Sequence, residues 1–422
     1  MNRPASETRD TSRGNGSRFI MPAAQHLLFL VYFIYFFCGM TQSFESVILP
    51  ELKEFFHLGY QQQMYVVFAK NIPFLLCPVL AFVIQRTGHV RSLSAAMVLY
   101  AIGTLLLVAG LQTSLYAIVL LGFGLIGTGF TVQMVVGNPM ISALGPQDGA
   151  SSRLNLGNAL GAVAQILAPA SLTIVIPAAA VTIQNKLPYI TGLLIVLGVL
   201  LGMIAAAAWS MRGSLASDSS LPSGQEPSPA DRRSVWKNPA VLTAAFMIFL
   251  ILGAEASLFS FFRNFLEDPE ITSLSSHASQ RLFTLYFGLF AAGRLSAAWL
   301  QQRVSPALHL VFSLIAALIS IGVLLAATGA VAVVALLALG FFVSIFFPTL
   351  IALTLRDAGQ EKTQVSGMLT FGFLGAAVIP VLQGRFADFA GLQRSYLLEA
   401  SIYVCILILA GRLYLRKRTA VP

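Results

Sequence analysis

The stretch MRGSLASDSSLPSGQEPSPADRRSVWKNP, residues 211–239, divides the chain into two halves of similar character. It is rich in serine, proline and charged residues, a composition typical of a flexible linker. On each side lie six apolar segments, each long enough to supply the ~20 residues that a helix needs to cross a bilayer. The sequence therefore predicts an all-α membrane protein with twelve transmembrane helices in two six-helix pseudo-repeats.

The twelve predicted segments are joined mostly by short loops. In the first half they cover residues 25–49, 60–85, 89–110, 113–143, 150–176 and 188–211. In the second half they cover residues 239–265, 277–303, 306–328, 330–356, 362–389 and 393–415. We expect four regions: a disordered tail at 1–24, a first half at 25–211, a linker at 212–238 and a second half at 239–422 that ends in a short basic tail.

The composition supports a membrane protein and excludes a nucleic-acid-binding one. Of the 422 residues, 57% are hydrophobic and 10% are charged, whereas soluble domains have about 25% charged residues. The net charge of +9 comes from scattered basic residues rather than from a basic stripe. Cytoplasmic loops carry excess Lys and Arg, and with the N-terminus inside, eighteen basic residues fall on the cytoplasmic side and six on the outer side. We therefore expect both termini, and the linker, in the cytoplasm.

The two halves also repeat short motifs at corresponding positions. QRTG (85–88) follows the second segment, and QRVS (302–305) follows the eighth. PMISAL (139–144) lies in the fourth segment and PTLIAL (348–353) in the tenth. Parallel repeats of this kind place a solute site between the halves, near the midplane of the membrane.

The stretch AFVIQRTGHVR (81–91) resembles the loop motif G-x-x-x-D-R-x-G-x-R-R of the major facilitator superfamily. The resemblance implies a transporter that works by alternating access. We expect the QRTG and QRVS turns to act as latches on the cytoplasmic side. The residues concerned are Gln85, Arg86, Gly88, Arg91, Gln302 and Arg303.

GNPMISALGPQDGASSRLNLGNALG (137–161) resembles the fucose–galactose–hexose/proton symporter family, whose corresponding stretch has NP, LGP and RLNL in the same register. ILP (48–50) and SIFFPTLIAL (344–353) are similar to that family as well. The resemblance implies a sugar or polyol importer in the bacterial cytoplasmic membrane, driven by the proton gradient without a cofactor. We expect its partners to be a small solute, protons and lipids, and the protein to be a monomer.

The resemblance also assigns individual positions. The family's helix 1 aspartate, implicated in proton coupling, corresponds to Ser46, and the acid here is the adjacent Glu45. Its helix 4 glutamate corresponds to Met134, beside Gln133. A glutamine after RLNL corresponds to Asn158, and an arginine on helix 8 to Arg294.

Four ionisable residues lie well inside the predicted helices: Glu45, Lys70, Glu255 and Arg294. An ionisable group among lipid tails costs several kcal/mol, so such residues normally face a cavity or a partner. Glu45 and Glu255 are the candidates for proton coupling. Glu45 is predicted to lie ~7.5 Å inside the outer end of helix 1, where it either faces the cavity or reaches the boundary. A Glu45–Lys70 pair is within reach and would be either functional or a static salt bridge.

Polar side chains on the predicted cavity-lining helices are candidates for solute binding. They are Gln42, Ser43, Ser46, Lys70, Gln133, Asn138, Asn158 and Arg294. Lys70 and the missing helix 4 acid also allow a second function, export or import of a drug-like, anionic or siderophore-like compound. We find no clustered catalytic constellation and no CxxC pair, so the sequence supports neither an enzyme nor a metal site.

Overall fold

A computed structural model describes residues 22–144, 150–177, 182–212, 238–357, 365 and 369–419. Within these ranges every regular element is a helix. The predicted tail at 1–24, except for its last three residues, and nearly all of the predicted linker lie outside the described residues.

The first half contains seven helices. They are α1 (Pro22–Phe56), α2 (Tyr60–Asn71), α3 (Cys77–Thr87), α4 (His89–Thr113), α5 (Tyr116–Ala143), α6 (Ala150–Val175) and α7 (Ile183–Ser210). A 3₁₀ turn at Ile72–Leu76 joins α2 to α3. The second predicted segment is therefore two α-helices joined by this turn, where Pro73 and Pro78 each remove a backbone donor.

The second half repeats this plan. Its helices are α8 (Pro239–Glu267), α9 (Ser276–Leu300), α10 (Pro306–Ala326), α11 (Gly329–Val343), α12 (Phe346–Asp357), α13 (Gly375–Ala390), α14 (Leu392–Ser395) and α15 (Leu397–Thr419). The side chains of Asn238, Ser275 and Ser305 accept hydrogen bonds from backbone amides at the starts of α8, α9 and α10. Such caps satisfy donors that have no partner inside the helix.

Nine helical stretches in the described ranges are long and apolar enough to cross a membrane. The predicted second, fifth and eighth segments are not among them. These correspond to α2 with α3, which the 3₁₀ turn divides, and to α6 and α9, each of which contains side chains outside the described part of the structure. The total of twelve membrane crossings stays a prediction.

The predicted end of the first segment at residue 49 is wrong, because α1 passes through Pro50 and continues to Phe56. A proline inside a helix leaves backbone groups unpaired, and neighbouring side chains must satisfy them. Arg263 of α8 donates to the carbonyl of Val47, in the turn before Pro50. Glu45 therefore lies eleven residues from the end of the helix, about 16 Å at 1.5 Å per residue, and not ~7.5 Å.

The two halves meet through α2 against α13, α6 against α9, and α1 against α8. Small residues allow the closest approaches. A Cβ on Gly384 of α13 would lie 2.7 Å from the carbonyl oxygen of Tyr60. Inside the first half, a Cβ on Gly127 of α5 would collide with the backbone of Lys70. Helices α1, α2 and α6 of the first half thus lie against α8, α13 and α9 of the second half.

Candidate functional site

A cavity of about 120 Å³ lies between the two halves. The first half contributes six polar residues from α1 and α2: Gln42, Ser43, Glu45, Ser46, Lys70 and Asn71. The second half contributes mainly small and aromatic residues from α8 and α9, including Ala256, Phe259 and Phe287.

Glu45 and Lys70 form an ion pair in the wall of this cavity. Glu45 is 1% exposed, and the side chain of Lys70 is 12% exposed. The carboxylate of Glu45 is thus buried inside the bundle beside Lys70, and its position relative to the membrane boundary stays a prediction. In the described lining these two are the charged residues, so the wall carries no net charge.

Amide groups connect this ion pair to the neighbouring helix. The ammonium of Lys70 donates to the backbone carbonyl of Gln42 at 3.5 Å. The side-chain amide of Gln165, on α6, donates to the side-chain carbonyl of Gln42 at 3.4 Å. The hydroxyl of Ser43 is buried and has no hydrogen-bond partner among the described residues. The same is true of the carbonyl oxygen of the Gln133 side chain. Ser43 lines the cavity, so its hydroxyl can exchange hydrogen bonds with a polar solute. Gln133 is not part of the described lining, and its binding role stays a prediction.

The opposite wall is aromatic. The rings of Phe259 and Phe287 stack at a centroid distance of 5.2 Å and an interplanar angle of 13°. Across the interface between the halves, Phe74 stacks on Phe373 at 4.9 Å. Ring faces of this kind offer an apolar surface next to the polar wall.

Glu255 and Arg294 form a second ion pair, in the second half, at 3.9 Å. The Nε atom of Arg294 donates to the carbonyl of Ser344 at 3.2 Å, and its guanidinium lies 4.6 Å from the ring centroid of Phe290. The Arg294 side chain is 45% exposed. Neither member of the pair belongs to the described lining of the cavity that contains Glu45, so the binding role of Arg294 stays a prediction.

A buried charge network that the sequence analysis missed joins the two halves. The guanidinium of Arg263 is fully buried and holds both oxygens of Glu51, at 2.7 and 2.8 Å. It also contacts Glu267 at 2.6 Å and the hydroxyl of Ser276 at 2.6 Å. Lys186 of α7 lies 3.7 Å from Glu51. We call the part of the bundle around Glu51 and Arg263 the closed end.

Two further contacts between the halves strengthen the closed end. The carboxylate of Asp388, on α13, accepts from the backbone amides of Tyr60 and Gln61 at 2.6 and 2.9 Å. The side chains of Gln63 and Asn264 exchange hydrogen bonds at 3.1 and 3.2 Å. Both sets join α2 of the first half to helices of the second.

The predicted latch residues lie at the other end of the bundle. Arg86 stacks on the ring of Phe82 and Arg303 on that of Trp299, each at 4.2 Å from the ring centroid. Gly88 has φ +87°, a conformation that favours glycine, which explains this position of the QRTG turn. Arg91 and Gln302 are exposed. The side chains of Gln85, Asn138 and Asn158 lie outside the described part of the structure.

Two helical halves that enclose a polar cavity and are bound together at one end define a membrane transporter. The family model of the Major Facilitator Superfamily matches residues 31–373, and the chain belongs to this family. It is a multi-pass membrane transporter and not an enzyme.

Several curated relatives are similar over most of the chain. A glucose/galactose transporter of Brucella abortus biovar 1 (strain 9-941) is 28% identical over 385 residues, which cover 88% of this chain and 90% of the relative. The L-fucose-proton symporter of Escherichia coli (strain K12) is 23% identical over 429 residues, 95% of each chain. The crystal structure of the transporter FucP in the outward conformation matches with a TM-score of 0.63 and 19% identity, covering 92% of this chain and 99% of FucP.

Proposed function

We propose that the protein is a proton-coupled importer of a hexose or similar polyol in the bacterial cytoplasmic membrane. The names of the similar transporters support a sugar as solute and, for one of them, a proton as the coupled ion. The energy source in this proposal is the proton gradient, without a cofactor.

The observation that carries the proposal is the charge balance of the cavity. Lys70 alone would attract an anion, but its ion pair with Glu45 leaves the described wall neutral. A buried wall of this kind favours an uncharged solute, because an anion would lose its hydration without gaining an unpaired cation. Gln42, Ser43 and Asn71 supply donors and acceptors for hydroxyl groups. The stacked rings on the other side can cover the C–H face of a sugar.

Glu45 is the carboxylate that we expect to bind the coupled proton. Burial favours the neutral form of a carboxyl group, whereas a nearby ammonium favours the ionised form. Glu45 therefore has a different affinity for a proton when Lys70 lies beside it than when Lys70 moves away. Since Gln42 contacts both Lys70 and Gln165, a solute bound to Gln42 can influence this pair. A difference in proton affinity between two states is what linkage requires for a gradient to drive transport.

The proposed cycle is a rocking of residues 25–211 against residues 239–415, with both termini in the cytoplasm. The closed end would then face the outside, and the structure would represent an inward-facing state. The contacts of Arg263 and Asp388 with the first half support this assignment, because they must break before a solute can enter from that end.

The test is uptake by the purified protein in proteoliposomes with an imposed pH gradient. D-Glucose, D-galactose and L-fucose represent neutral sugars, and glucuronate is a control of similar size that carries a charge. We expect neutral sugars to accumulate and glucuronate not to. Glucuronate uptake that depends on Lys70, with no sugar uptake, would favour the alternative of an anion transporter and refute the sugar proposal. Export of drug-like compounds, measured in inverted vesicles, would refute it as well.

The role of Glu45 has its own test in the same assay. Glu45→Gln should abolish accumulation driven by the pH gradient and keep sugar counterflow, which needs binding and rocking but no net proton movement. Glu54→Gln is the matched control, because Glu54 is an exposed acid nine residues further along α1. If the Glu45 variant still accumulates sugar, Glu45 is not the coupling residue, and Glu255 becomes the next candidate.

A further inference from the structure

The charges of the closed-end network are balanced within each half of the protein. Glu51 on α1 and Lys186 on α7 belong to the first half, and Arg263 and Glu267 on α8 belong to the second. Each half therefore supplies one acid and one base. These four side chains are neutral as a set, and the two from either half are neutral by themselves.

The second half contains a complete ion pair of its own. Arg263 and Glu267 lie four residues apart on one face of α8, and the Nε and Nη2 atoms of Arg263 donate to Oε1 of Glu267 at 3.0 and 2.6 Å. The hydroxyls of Ser276 and Ser279, on α9, donate to the same carboxylate oxygen. All of these contacts of Glu267 lie within the second half, so they do not have to break when the halves separate.

The first half contains the other pair in a looser form. The ammonium of Lys186 lies 3.7 Å from Oε1 of Glu51, whereas Arg263 holds both oxygens of Glu51 at 2.7 and 2.8 Å. The same ammonium donates to the hydroxyl of Ser276, across the interface between the halves, at 3.1 Å. In the closed bundle Arg263 is therefore the nearer partner of Glu51, and Lys186 lies within reach as a second one.

Opening the closed end breaks the contact between Glu51 and Arg263. A buried charge that loses its partner is strongly destabilising, and by itself this loss would hold the bundle closed. Each of the two charges, however, has an opposite charge in its own half. When Ser276 moves away with the second half, the long side chain of Lys186 can close the remaining distance to Glu51, while Arg263 keeps Glu267. The halves can then part without leaving either charge unpaired.

We propose that Lys186 and Glu267 are exchange partners that stabilise the open form of the closed end. Glu51 and Arg263 pair with each other in the closed bundle, and each pairs with the opposite charge of its own half in the open one. The proposal rests on the rocking of the halves in the proposed function, but not on the identity of the solute or on proton coupling.

A role as ordinary contacts of the closed end predicts different effects for these two residues. The hydrogen bond from Lys186 to Ser276 joins the halves, so its loss alone would favour opening. The contacts of Glu267 described above join no residues of different halves, so their loss alone would not affect opening. The exchange predicts instead that removing either charge favours the closed bundle, because the open one loses a partner.

The experiment measures how often the closed end opens, as the rate at which a thiol reagent modifies Asn264→Cys. Asn264 is buried and pairs with Gln63 of the first half, so the reagent reaches this position only when the halves part. The three native cysteines are replaced by alanine in every variant, and neither a solute nor a pH gradient is present. Because the reagent reacts with the open molecules, the rate follows their population even when that population is small.

Glu267→Gln and Lys186→Met should each slow this modification several-fold. Glu51→Gln should accelerate it, because it removes the contact between the halves, and it shows that the assay responds in both directions. Glu270→Gln is the matched control, since Glu270 is an exposed acid three residues after Glu267, and the rate should not change.

Modification that is unchanged or faster in either folded variant, Glu267→Gln or Lys186→Met, would overturn the proposal. If Glu267→Gln does not fold, Lys186→Met decides alone, because a simple loss of its bond to Ser276 would accelerate the reaction rather than slow it. Absence of uptake for every sugar, with these rates as expected, would refute the proposed function and not the exchange. No modification in any variant, Glu51→Gln included, would overturn the exchange together with the rocking motion.

Discussion

Glu51→Gln should open the closed end of the bundle. The substitution keeps the shape of the side chain but removes the charge that holds Arg263 through two hydrogen bonds of 2.7 and 2.8 Å. Removing one partner of a buried ion pair costs about 3–5 kcal/mol. Because Glu267 remains beside the guanidinium and the amide can accept one bond, we take the lower figure of about 3 kcal/mol. Since each 1.4 kcal/mol corresponds to a factor of ten, the equilibrium between the closed and the open bundle should shift roughly a hundredfold towards the open one.

The shift can be measured as a distance between spin labels on the two halves. Gln112, at the end of α4, and Thr328, between α10 and α11, are exposed at the closed end. A population of one hundred closed molecules to one open molecule would become about one to one in Glu51→Gln, so a second, longer distance should appear. Glu54→Gln removes an exposed carboxylate from the same helix end and should leave the distribution unchanged.

Two results would contradict this reasoning. Identical distance distributions in the wild type and in Glu51→Gln would show that the network does not hold the closed end together. A longer distance in Glu54→Gln as well would show that the loss of negative charge, and not the buried pair, opens the bundle.

Four further substitutions test three other features of the structure. Gly127→Ala should lower the melting temperature, because the added methyl group collides with the backbone of Lys70 and overpacking costs about 1–3 kcal/mol. Gly192→Ala is the control, since a Cβ at Gly192 would have no atom within 4 Å. Equal stability of the two variants would contradict the packing argument. Arg294→Lys keeps the charge but loses the planar fork, so solute affinity should fall at nearly unchanged stability, whereas lost stability with unchanged affinity would indicate a structural role. Arg86→Ala and Arg303→Ala should each favour the state open to the cytoplasm, and unchanged label distances across that end would refute the latch.

The sequence predicted the fold well because the signals for it are local. Apolar segments of helical length and motifs repeated in the two halves depend on nearby residues only. The end of α1 was placed wrongly for a long-range reason: Pro50 stays inside the helix with the support of Arg263, more than 200 residues away. The Glu45–Lys70 contact was accessible because both residues lie on consecutive antiparallel helices.

The closed-end network was not accessible in this way. Arg263 lies near the end of the predicted segment 239–265, and only the tertiary structure shows that it is fully buried against Glu51. The informative property is burial between helices, which a single sequence does not contain.

The carboxylate of Asp388 gives α2 an N-terminal cap that belongs to the other half of the protein. Its oxygens satisfy the backbone amides of Tyr60 and Gln61, two donors that have no partner within their own helix. When the halves part, this cap is lost and the first turn of α2 is left to water. Hydrogen–deuterium exchange at these two amides would therefore follow the opening of the bundle in the native chain, without labels or substitutions.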